Sequence, residues 1–226
     1  MRYLILATLL AACSSTTTIS GDAFAFNEGV DARVVGGTVR ILELPGREAT
    51  TDATGHFVFE GVPVGSDVTL ELAHPEFTPI QTATHTVPAE GLEQLTFQAV
   101  RPAVYDLLAM ILAITPDPER CNMVTTATRV GRSLYDPGAH GEAGVTVTVE
   151  PPPPGESGPI YFNADVIPDR ALTMTSDDGG VVFVNVPPGD YTWTAHKDGV
   201  RIREIRMRCR AGLLVNASPP WGLQVY

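Results

Sequence analysis

The strongest constraint on the fold is an order of strand and turn signals that occurs twice in this chain. In each copy an apolar strand is followed by a turn rich in Asp and Gly, a second apolar strand, and a turn that begins with Val-Pro. The first copy comprises residues 37–41, 51–55 and 62–70, and the second comprises residues 144–149, 176–180 and 186–193. Because the copies are well separated along the chain, they predict two domains of one type.

Within these segments apolar residues alternate with polar ones. The alternating apolar positions are Val39 and Ile41, then Phe57 and Phe59, then Val68, Leu70 and Leu72. A period of two places the apolar set on one face of a β-strand and the polar set on the other. The 21 glycines and 19 prolines provide the turns that many short strands need. These features predict an all-β protein.

The ordered motifs resemble those of the carboxypeptidase regulatory-like domain, a transthyretin-like (prealbumin-like) β-sandwich. The matching pieces are TTDATGHFVFEGVPVG at residues 50–65 and TSDDGGVVFVNVPPGDYTW at residues 175–193. The resemblance implies two tandem β-sandwiches, the first at residues 21–100 and the second at residues 119–226. It implies no particular activity, because this family occurs as an accessory module in many exported proteins.

Residues 101–118 are expected to form a short helical linker between the two sandwiches. Pro102 stands near the start of the segment, and Pro116 provides a stop. Tyr105, Leu108 and Leu112 lie between them at helical spacing. The pattern predicts a helix over residues 102–114 that packs in the seam between the domains.

The start of the chain resembles the export signal of bacterial lipoproteins. A positive start at residues 1–2 is followed by apolar residues 3–10, and Leu-Ala-Ala then precedes Cys13. This apolar run is too short for a membrane-spanning helix, which takes about 20 residues. In the lipoprotein family the peptide before the cysteine, here residues 1–12, is removed, and the cysteine takes up fatty acyl chains such as palmitate. The alternative is an ordinary secretion signal with a coincidental cysteine.

The same resemblance implies a location and partners. Residues 13–20 are expected to comprise the lipidated cysteine and a polar tether. Ser14 and Ser15 lack the aspartate that retains some lipoproteins at the inner membrane, which favours the outer membrane of a bacterial cell envelope. The expected partners are the membrane, through the lipid anchor, and an unidentified envelope protein or glycan.

Cys121 and Cys209 are the cysteines that remain once Cys13 is assigned to the lipid. In an exported and oxidising compartment they predict a disulfide within the second sandwich. The alternative is a pair of buried free thiols.

The formal net charge of −11 disfavours nucleic acid as a partner. Binding to phosphates requires a basic surface, which this composition does not supply. The acidity is also explained by solubility without any specific role.

The chain lacks the catalytic motifs of enzymes that share related folds. It contains no His-x-x-Glu or His-Glu-x-x-His for zinc and no Gly-x-Ser-x-Gly for a serine nucleophile. The intradiol dioxygenases hold iron with two Tyr and two His, and their closely spaced His-x-His is missing here. The second domain does offer Tyr135, His140, Tyr161, Tyr191 and His196 as candidates. We therefore expect no enzyme and no cofactor.

The acidic pair Asp177-Asp178 is followed by two glycines. Calcium takes six to eight oxygen ligands, and the acids nearby are too few for a dedicated site. The motif predicts a tight hairpin turn instead.

Five of the fourteen arginines (15 basic residues less Lys197) lie between Arg201 and Arg210. In a strand, Arg206 and Arg208 point away from Ile205 and Met207, so they are candidate ligand contacts. The anion would be a lipid phosphate, an acidic glycan or the acidic first domain. The alternative is a solvated strand face that discourages edge pairing.

The two tryptophans receive different interpretations. Trp193 alternates with Tyr191 and is expected in the core. Trp221 follows two prolines in an irregular tail and is the candidate for stacking on a sugar ring.

From the residues and the two resemblances we expect a lipid-anchored cell-envelope protein that acts as a non-catalytic binding or structural module. One alternative is a carbohydrate-binding accessory lipoprotein. The other is an enzyme with an unrecognised metal site in the second domain.

Overall fold

A computed structural model of the chain describes residues 15–138 and 140–226. The strands of the first half are β1 (Thr16–Ala25), β2 (Thr38–Ile41), β3 (Glu48–Thr50), β4 (His56–Pro63), β5 (Asp67–Ala73), β6 (Ile80–Thr86) and β7 (Phe97–Ala99). Helix α1 (Pro102–Ile111) follows. The strands of the second half are β8 (Cys121–Thr128), β9 (Thr146–Glu150), β10 (Ile160–Phe162), β11 (Pro168–Asp169), β12 (Gly180–Val186), β13 (Gly189–His196), β14 (Ile205–Cys209), β15 (Leu214–Ala217) and β16 (Leu223–Gln224). The predicted all-β class is confirmed.

The first half is a sandwich of two sheets. One sheet has the order β4-β1-β7, and the other runs β3-β2-β5-β6. Its core contains the alternating residues expected from the sequence, including Val39, Phe57, Phe59 and Leu70, each at most 3 % exposed. Apolar side chains from both sheets meet between them, as period-two patterning requires.

The second half is also a sandwich. One sheet contains β11-β10-β12-β8-β15, with β16 beside β8, and the other contains β9-β13-β14. Trp193 is fully buried in its core and meets the ring of Phe183 edge to face, with centroids 4.9 Å apart. The predicted disulfide between Cys121 and Cys209 is confirmed and joins β8 of one sheet to β14 of the other.

The two halves repeat one topology. β1 pairs with β4 and β7 as β8 pairs with β12 and β15, and β2-β5-β6 corresponds to β9-β13-β14. A buried threonine holds the equivalent loop in each half. The hydroxyl of Thr51 accepts a hydrogen bond from the amide of Gly37 at 2.8 Å, and that of Thr175 accepts one from Val145 at 2.9 Å. These bonds match Gly37 with Val145 and Thr51 with Thr175, each one residue away from the first residues of the ranges compared in the sequence, 144 and 176.

The halves share strand β6. Near Ile80 it pairs in parallel with β15, and at Thr84 it pairs antiparallel with β14. Because β14 and β15 belong to opposite sheets of the second sandwich, β6 closes one edge of that sandwich, and Ala83 lies in its core. The two sandwiches are therefore joined by backbone pairing as well as by the helical linker.

The tether expected over residues 13–20 is not observed from Thr16 onward. There β1 pairs with β4, and Ile19 is fully buried. Thr16, Thr17 and Thr18 are polar, which is typical of a tether, but they are also β-branched, and such side chains fit a strand well. Residues 1–14 lie outside the described part of the chain.

The two Asp-Gly turns are corners rather than hairpins. β3 and β4, which flank residues 51–55, pair with different strands. Around residues 176–180, β11 and β12 do not pair with each other either, because β10 lies between them and pairs with both. In the first turn the Asp52 carboxylate accepts bonds from the amides of Thr54 and His56 at 2.8 and 3.0 Å. Neither turn therefore joins two strands that pair with each other.

Candidate functional site

A cavity of about 480 Å³ lies where the two halves and the helix meet. Its walls come from the ends of β1 and β7, one face of α1, and the face of β8, β10 and β12 that points away from the second core. Leu134, Gly138 and His140 also line it. Apolar side chains form most of this lining, among them Phe24, Phe162, Val182 and Val184. Cavities of this size and character are the usual sites of small-molecule ligands.

Helix α1 covers the cavity. It begins with Pro102 at its first position, where the missing N–H costs no hydrogen bond, and ends before Ala113, whose φ is 53°. Leu108, Ala109 and Leu112 line the cavity at helical spacing. The predicted helix in the seam is therefore confirmed, although it ends at Ile111.

The opposite face of α1 is also apolar. Leu107, Met110 and Ile111 are 52 %, 75 % and 44 % exposed. A helix that is apolar on both sides differs from an ordinary surface helix, whose outer face is polar.

Asn122 of β8 fixes the helix over the sheet. Its side-chain amide donates to the hydroxyl of Tyr105 on α1, and its carbonyl oxygen accepts from the amide of Asn185 at 2.8 Å. Burial raises the pKa of Tyr105, which stays a neutral hydroxyl at physiological pH. These bonds tie the helix to the sheet through a polar pair at the cavity wall.

Besides Tyr105, the titratable side chains of His140 and Asp178 line the cavity, and the segments that carry them pack against each other. Gly141 makes this possible, because a Cβ there would lie under 3.0 Å from the backbone of Asp178 and Gly179. The segment that carries His140 therefore packs directly on the 178–179 turn.

The electrostatics of this pair follow from burial. Burial lowers the pKa of His140, with the charge of Asp136 opposing the shift. Burial also raises the pKa of Asp178, although its carboxylate accepts a bond from the amide of Gly180 at 3.0 Å. The Nδ1 atom of His140 is buried and has no hydrogen-bond partner among the described residues. No Lys or Arg is among the described residues that line the cavity.

A second, more open cleft of about 580 Å³ contains Trp221. Tyr135 and Arg203 also line it, together with polar side chains such as Asp136 and Gln224. The indole N–H of Trp221 donates to the carbonyl of Glu93 at 2.6 Å, and the Arg203 guanidinium lies 5.3 Å from its ring centroid. The structure thus places Trp221 in a cleft, half-buried and fixed by contacts within the chain.

Three arginines between 206 and 210 face the first sandwich. Arg206 forms a two-pronged pair with Asp67 at 2.7 and 3.0 Å, and Arg208 contacts Glu43 at 3.3 Å. Arg210 pairs with Glu71. Of the anions considered from the sequence, the acidic first domain is the one that these side chains contact. The edge of β14 is not free either, because β6 pairs with it.

The residues considered for iron do not converge. The hydroxyl of Tyr161 accepts from the amide of Val147 at 3.0 Å, and that of Tyr191 donates to the carbonyl of Pro187 at 2.9 Å. Tyr135 donates to Asp22 of the first sandwich. Across residues 15–138 and 140–226, no three His, Cys, Asp or Glu side chains are placed to hold a metal ion. The alternative of a metal enzyme therefore gains no support here.

The sequence does not reveal the cavity, although several residues that line it stand out in the sequence. Tyr105, Leu108 and Leu112 indicate the helix, Asp178 indicates a turn, and His140 is a candidate only for iron. The one available signal was the helix, whose apolar residues are too many for a single face. The candidate lipidation site, Cys13, lies outside the described residues, and no helix within them is long and apolar enough to cross a membrane.

Comparisons with known proteins leave the family open. No protein-family profile matches the chain, and no curated protein matches it. Among solved structures, the Bacillus anthracis TIE protein aligns with 89 % of this chain at 12 % identity and a TM-score of 0.30, and the chain spans 33 % of its length. The shaft pilin SpaA of Lactobacillus rhamnosus GG (D295N mutant) aligns at 12 % identity over 92 % of this chain and 100 % of its own, with a TM-score of 0.26.

The minor pilin GBS52 of Streptococcus agalactiae aligns over 89 % of this chain and 93 % of its own at 10 % identity, with a TM-score of 0.25. We draw neither fold nor function from similarities this distant. The fold described above rests on the strand pairings of the chain itself.

Proposed function

We propose that this chain is a lipid-anchored module of a bacterial cell envelope that acts by binding rather than by catalysis. The observation that carries the binding role is the apolar cavity between two sandwiches that pair into one sheet. A ligand-sized cavity at a domain boundary, lined mostly by apolar side chains, favours a binding role.

The contacts between the sandwiches support a rigid unit. Besides the pairing of β6, the side-chain amide of Gln81 donates to the backbone carbonyl of Arg208 at 2.6 Å. The ion pairs of Arg206 with Asp67 and Arg210 with Glu71 cross the same boundary. A rigid pair of sandwiches can present its loops to a neighbour and keep a preformed cavity between them.

Export and anchoring are supported by the Leu-Ala-Ala-Cys13 motif and by the disulfide, which belongs to an oxidising compartment. We assign both sandwiches to the transthyretin-like type on the motifs at residues 50–65 and 175–193. Ser14 and Ser15 favour the outer membrane as the site of residence.

The anchor is tested with Cys13→Ser in the native host. We expect the wild-type chain to incorporate labelled palmitate and to stay with the membranes after high-salt and carbonate washing, whereas Cys13→Ser is released. A matched Ser15→Ala variant should behave as wild type. A Cys13→Ser chain that stays with the washed membranes, or a wild-type chain that takes up no label, would overturn the anchor.

Residence and partners are tested separately. Ser14→Asp should move the protein from the outer to the inner membrane fraction if the aspartate rule holds in this host. Crosslinking in intact cells should capture an envelope protein in the wild type and lose it in the released Cys13→Ser chain. An unchanged distribution and an absence of crosslinks would remove the envelope assignment.

A second candidate function is carbohydrate binding in the Trp221 cleft. It is favoured by an aromatic ring held in place beside polar side chains, an arrangement that suits a sugar. A glycan array probed with the wild type and Trp221→Ala tests it, with Trp221→Phe as the control that keeps a ring. Binding to no glycan, or equal binding by all three chains, eliminates the candidate.

A further inference from the structure

We propose that the cavity under helix α1 binds an amphiphile that has an apolar body and a hydrogen-bond-donating head group, an alcohol or an amine. This proposal names a ligand class for the proposed binding role and rests on that role. It does not depend on the lipid anchor.

The size and lining of the cavity determine the size and polarity of the ligand's apolar body. A volume of about 480 Å³ is within the range of roughly 300–1,000 Å³ typical of small-molecule sites. The helix contributes Leu108 and Leu112, and the sheet contributes Phe162 and Val182. Such walls offer water few hydrogen bonds, so a hydrocarbon chain or a ring system fits them better than water does.

The polar residues of the lining determine which head group the ligand can have. Asp178 lines the cavity, and its carboxylate oxygens accept hydrogen bonds but donate none. Burial disfavours the charged imidazole of His140 by lowering its pKa, so this side chain adds no positive charge beside Asp178. An acidic acceptor with no cation in the described lining favours a ligand that donates.

The absence of a cation among the described lining residues excludes one common ligand class. The carboxylate of a fatty acid would meet Asp178 without any Lys or Arg to neutralise it. Burying an unpaired charge of the same sign is unfavourable. The cavity should therefore discriminate an alkyl alcohol or amine from an alkyl carboxylate of equal length.

The test uses the full chain carrying Cys13→Ser, purified without detergent so that no acyl chain competes. The probe is N-phenyl-1-naphthylamine, an apolar fluorophore with one N–H donor, displaced by 1-dodecanol, dodecylamine or dodecanoate at pH 7. We expect the alcohol and the amine to displace the probe at concentrations at least about 10-fold lower than the concentration of dodecanoate that is needed. A tenfold difference in affinity corresponds to about 1.4 kcal/mol, the scale of one polar contact.

Two matched variants locate the site. Ala109→Phe fills the cavity from the helix and should weaken probe binding at least about 10-fold. Ala103→Phe makes the same change on the exposed face of the same helix and should leave binding unchanged. Asp178→Asn keeps the shape of the side chain and should narrow the gap between dodecylamine and dodecanoate.

Either of two results overturns the proposal. One is equal probe binding by Ala109→Phe and Ala103→Phe, and the other is displacement by dodecanoate as effective as by the amine. If circular dichroism shows that Ala109→Phe does not fold, the comparison of dodecylamine with dodecanoate in Asp178→Asn and the wild type decides whether the proposal stands. A chain that binds no amphiphile but is still anchored and crosslinked in cells would refute this inference and leave the proposed envelope role intact.

Discussion

Arg210 of the second sandwich forms an ion pair with Glu71 of the first, and this carboxylate is almost fully enclosed, with 9 % of its side chain exposed. Arg40 approaches the same carboxylate at 3.1 Å from within the first sandwich. Two guanidinium groups thus neutralise one buried charge at the boundary. The pair between Arg206 and Asp67 crosses the same boundary, but both of its side chains are more than 40 % exposed.

The two ion pairs should therefore differ in their contribution to stability. Arg210→Gln leaves a buried carboxylate with one partner, and we expect it to lower the free energy of unfolding by about 1–3 kcal/mol. Arg206→Gln removes an exposed pair and should cost about 0–1 kcal/mol. Urea denaturation of both variants checks the order, and equal losses would show that burial of Glu71 has no consequence.

The repeated threonines provide a test of the internal repeat. Thr51→Val and Thr175→Val keep the side-chain shape but remove the acceptor of a buried amide, which should cost about 1–3 kcal/mol each. Thr175 also donates to the carbonyl of Glu142 at 2.6 Å, so its variant should lose more. Thermal unfolding of the two variants, with Thr146→Val on an exposed strand face as the control, measures the difference. If only one of the two variants, Thr51→Val or Thr175→Val, lowers the stability, the two threonines do not have equivalent roles.

Stability should also fall in mild acid because of His85. Burial, assisted by the charges of Arg203 and Arg206, lowers the pKa of His85 to about 4. In the unfolded chain His85 is protonated below about pH 6.5, whereas in the folded chain it stays neutral down to about pH 4. The free energy of unfolding therefore drops as the pH falls from about 6.5 to 4. The total loss is about 3 kcal/mol. His85→Gln should flatten this part of the profile, and parallel curves for the two chains would contradict the assignment.

Reduction of the disulfide should destabilise the second sandwich. The bond between Cys121 and Cys209 spans 88 positions and joins opposite sheets. Loop-closure entropy predicts a stabilisation of about 4–5 kcal/mol. Adding a thiol reductant should lower the melting temperature of the wild type and leave that of a Cys121→Ala/Cys209→Ala chain unchanged. A reductant-insensitive wild type would be inconsistent with the bond.

The close approach at Gly141 yields the last prediction. Gly141→Ala would drive a methyl group into the backbone of Asp178 and Gly179, and we expect a loss of about 2 kcal/mol or more together with weaker probe binding. Gly155→Ala meets nothing within 4 Å and should be close to neutral. Unfolding curves of the two variants give the comparison, and a tolerated Gly141→Ala would show that the 140 segment can move away.

Much of the architecture follows from local patterns in the sequence. The alternation at Val39 and Phe57, the helix after Pro102 and the cysteine pair were all predicted, because each depends on residues close together or on one simple pairing. The sharing of β6 was not predicted. Its residues Gln81, Thr82 and Thr84 are polar yet buried, since their hydrogen-bond partners come from β5 and β14 rather than from water. Such partners cannot be read from the strand itself.

The candidate site was less accessible to sequence reasoning than the fold. Asp178 lies in a sequence typical of a turn, and no residue near it in the chain indicates that α1 packs nearby. The cavity exists because segments distant in sequence stop short of filling the space between them, and no single segment carries that information.

Strand β1 connects the start of the described chain to the cavity and so sets a distance. If Cys13 is acylated, Thr16 lies within about 11 Å of the leaflet, since an extended chain covers at most about 3.6 Å per residue. Phe24, at the cavity, is eight residues further along the strand, up to roughly 27 Å away at about 3.3 Å per residue. Both distances are upper limits, so an anchored chain would keep the cavity within roughly 40 Å of the lipids that carry it. That span is no longer than the thickness of a bilayer with its head groups, about 40–45 Å, so an amphiphile that leaves the supporting leaflet would have only a short path to the cavity.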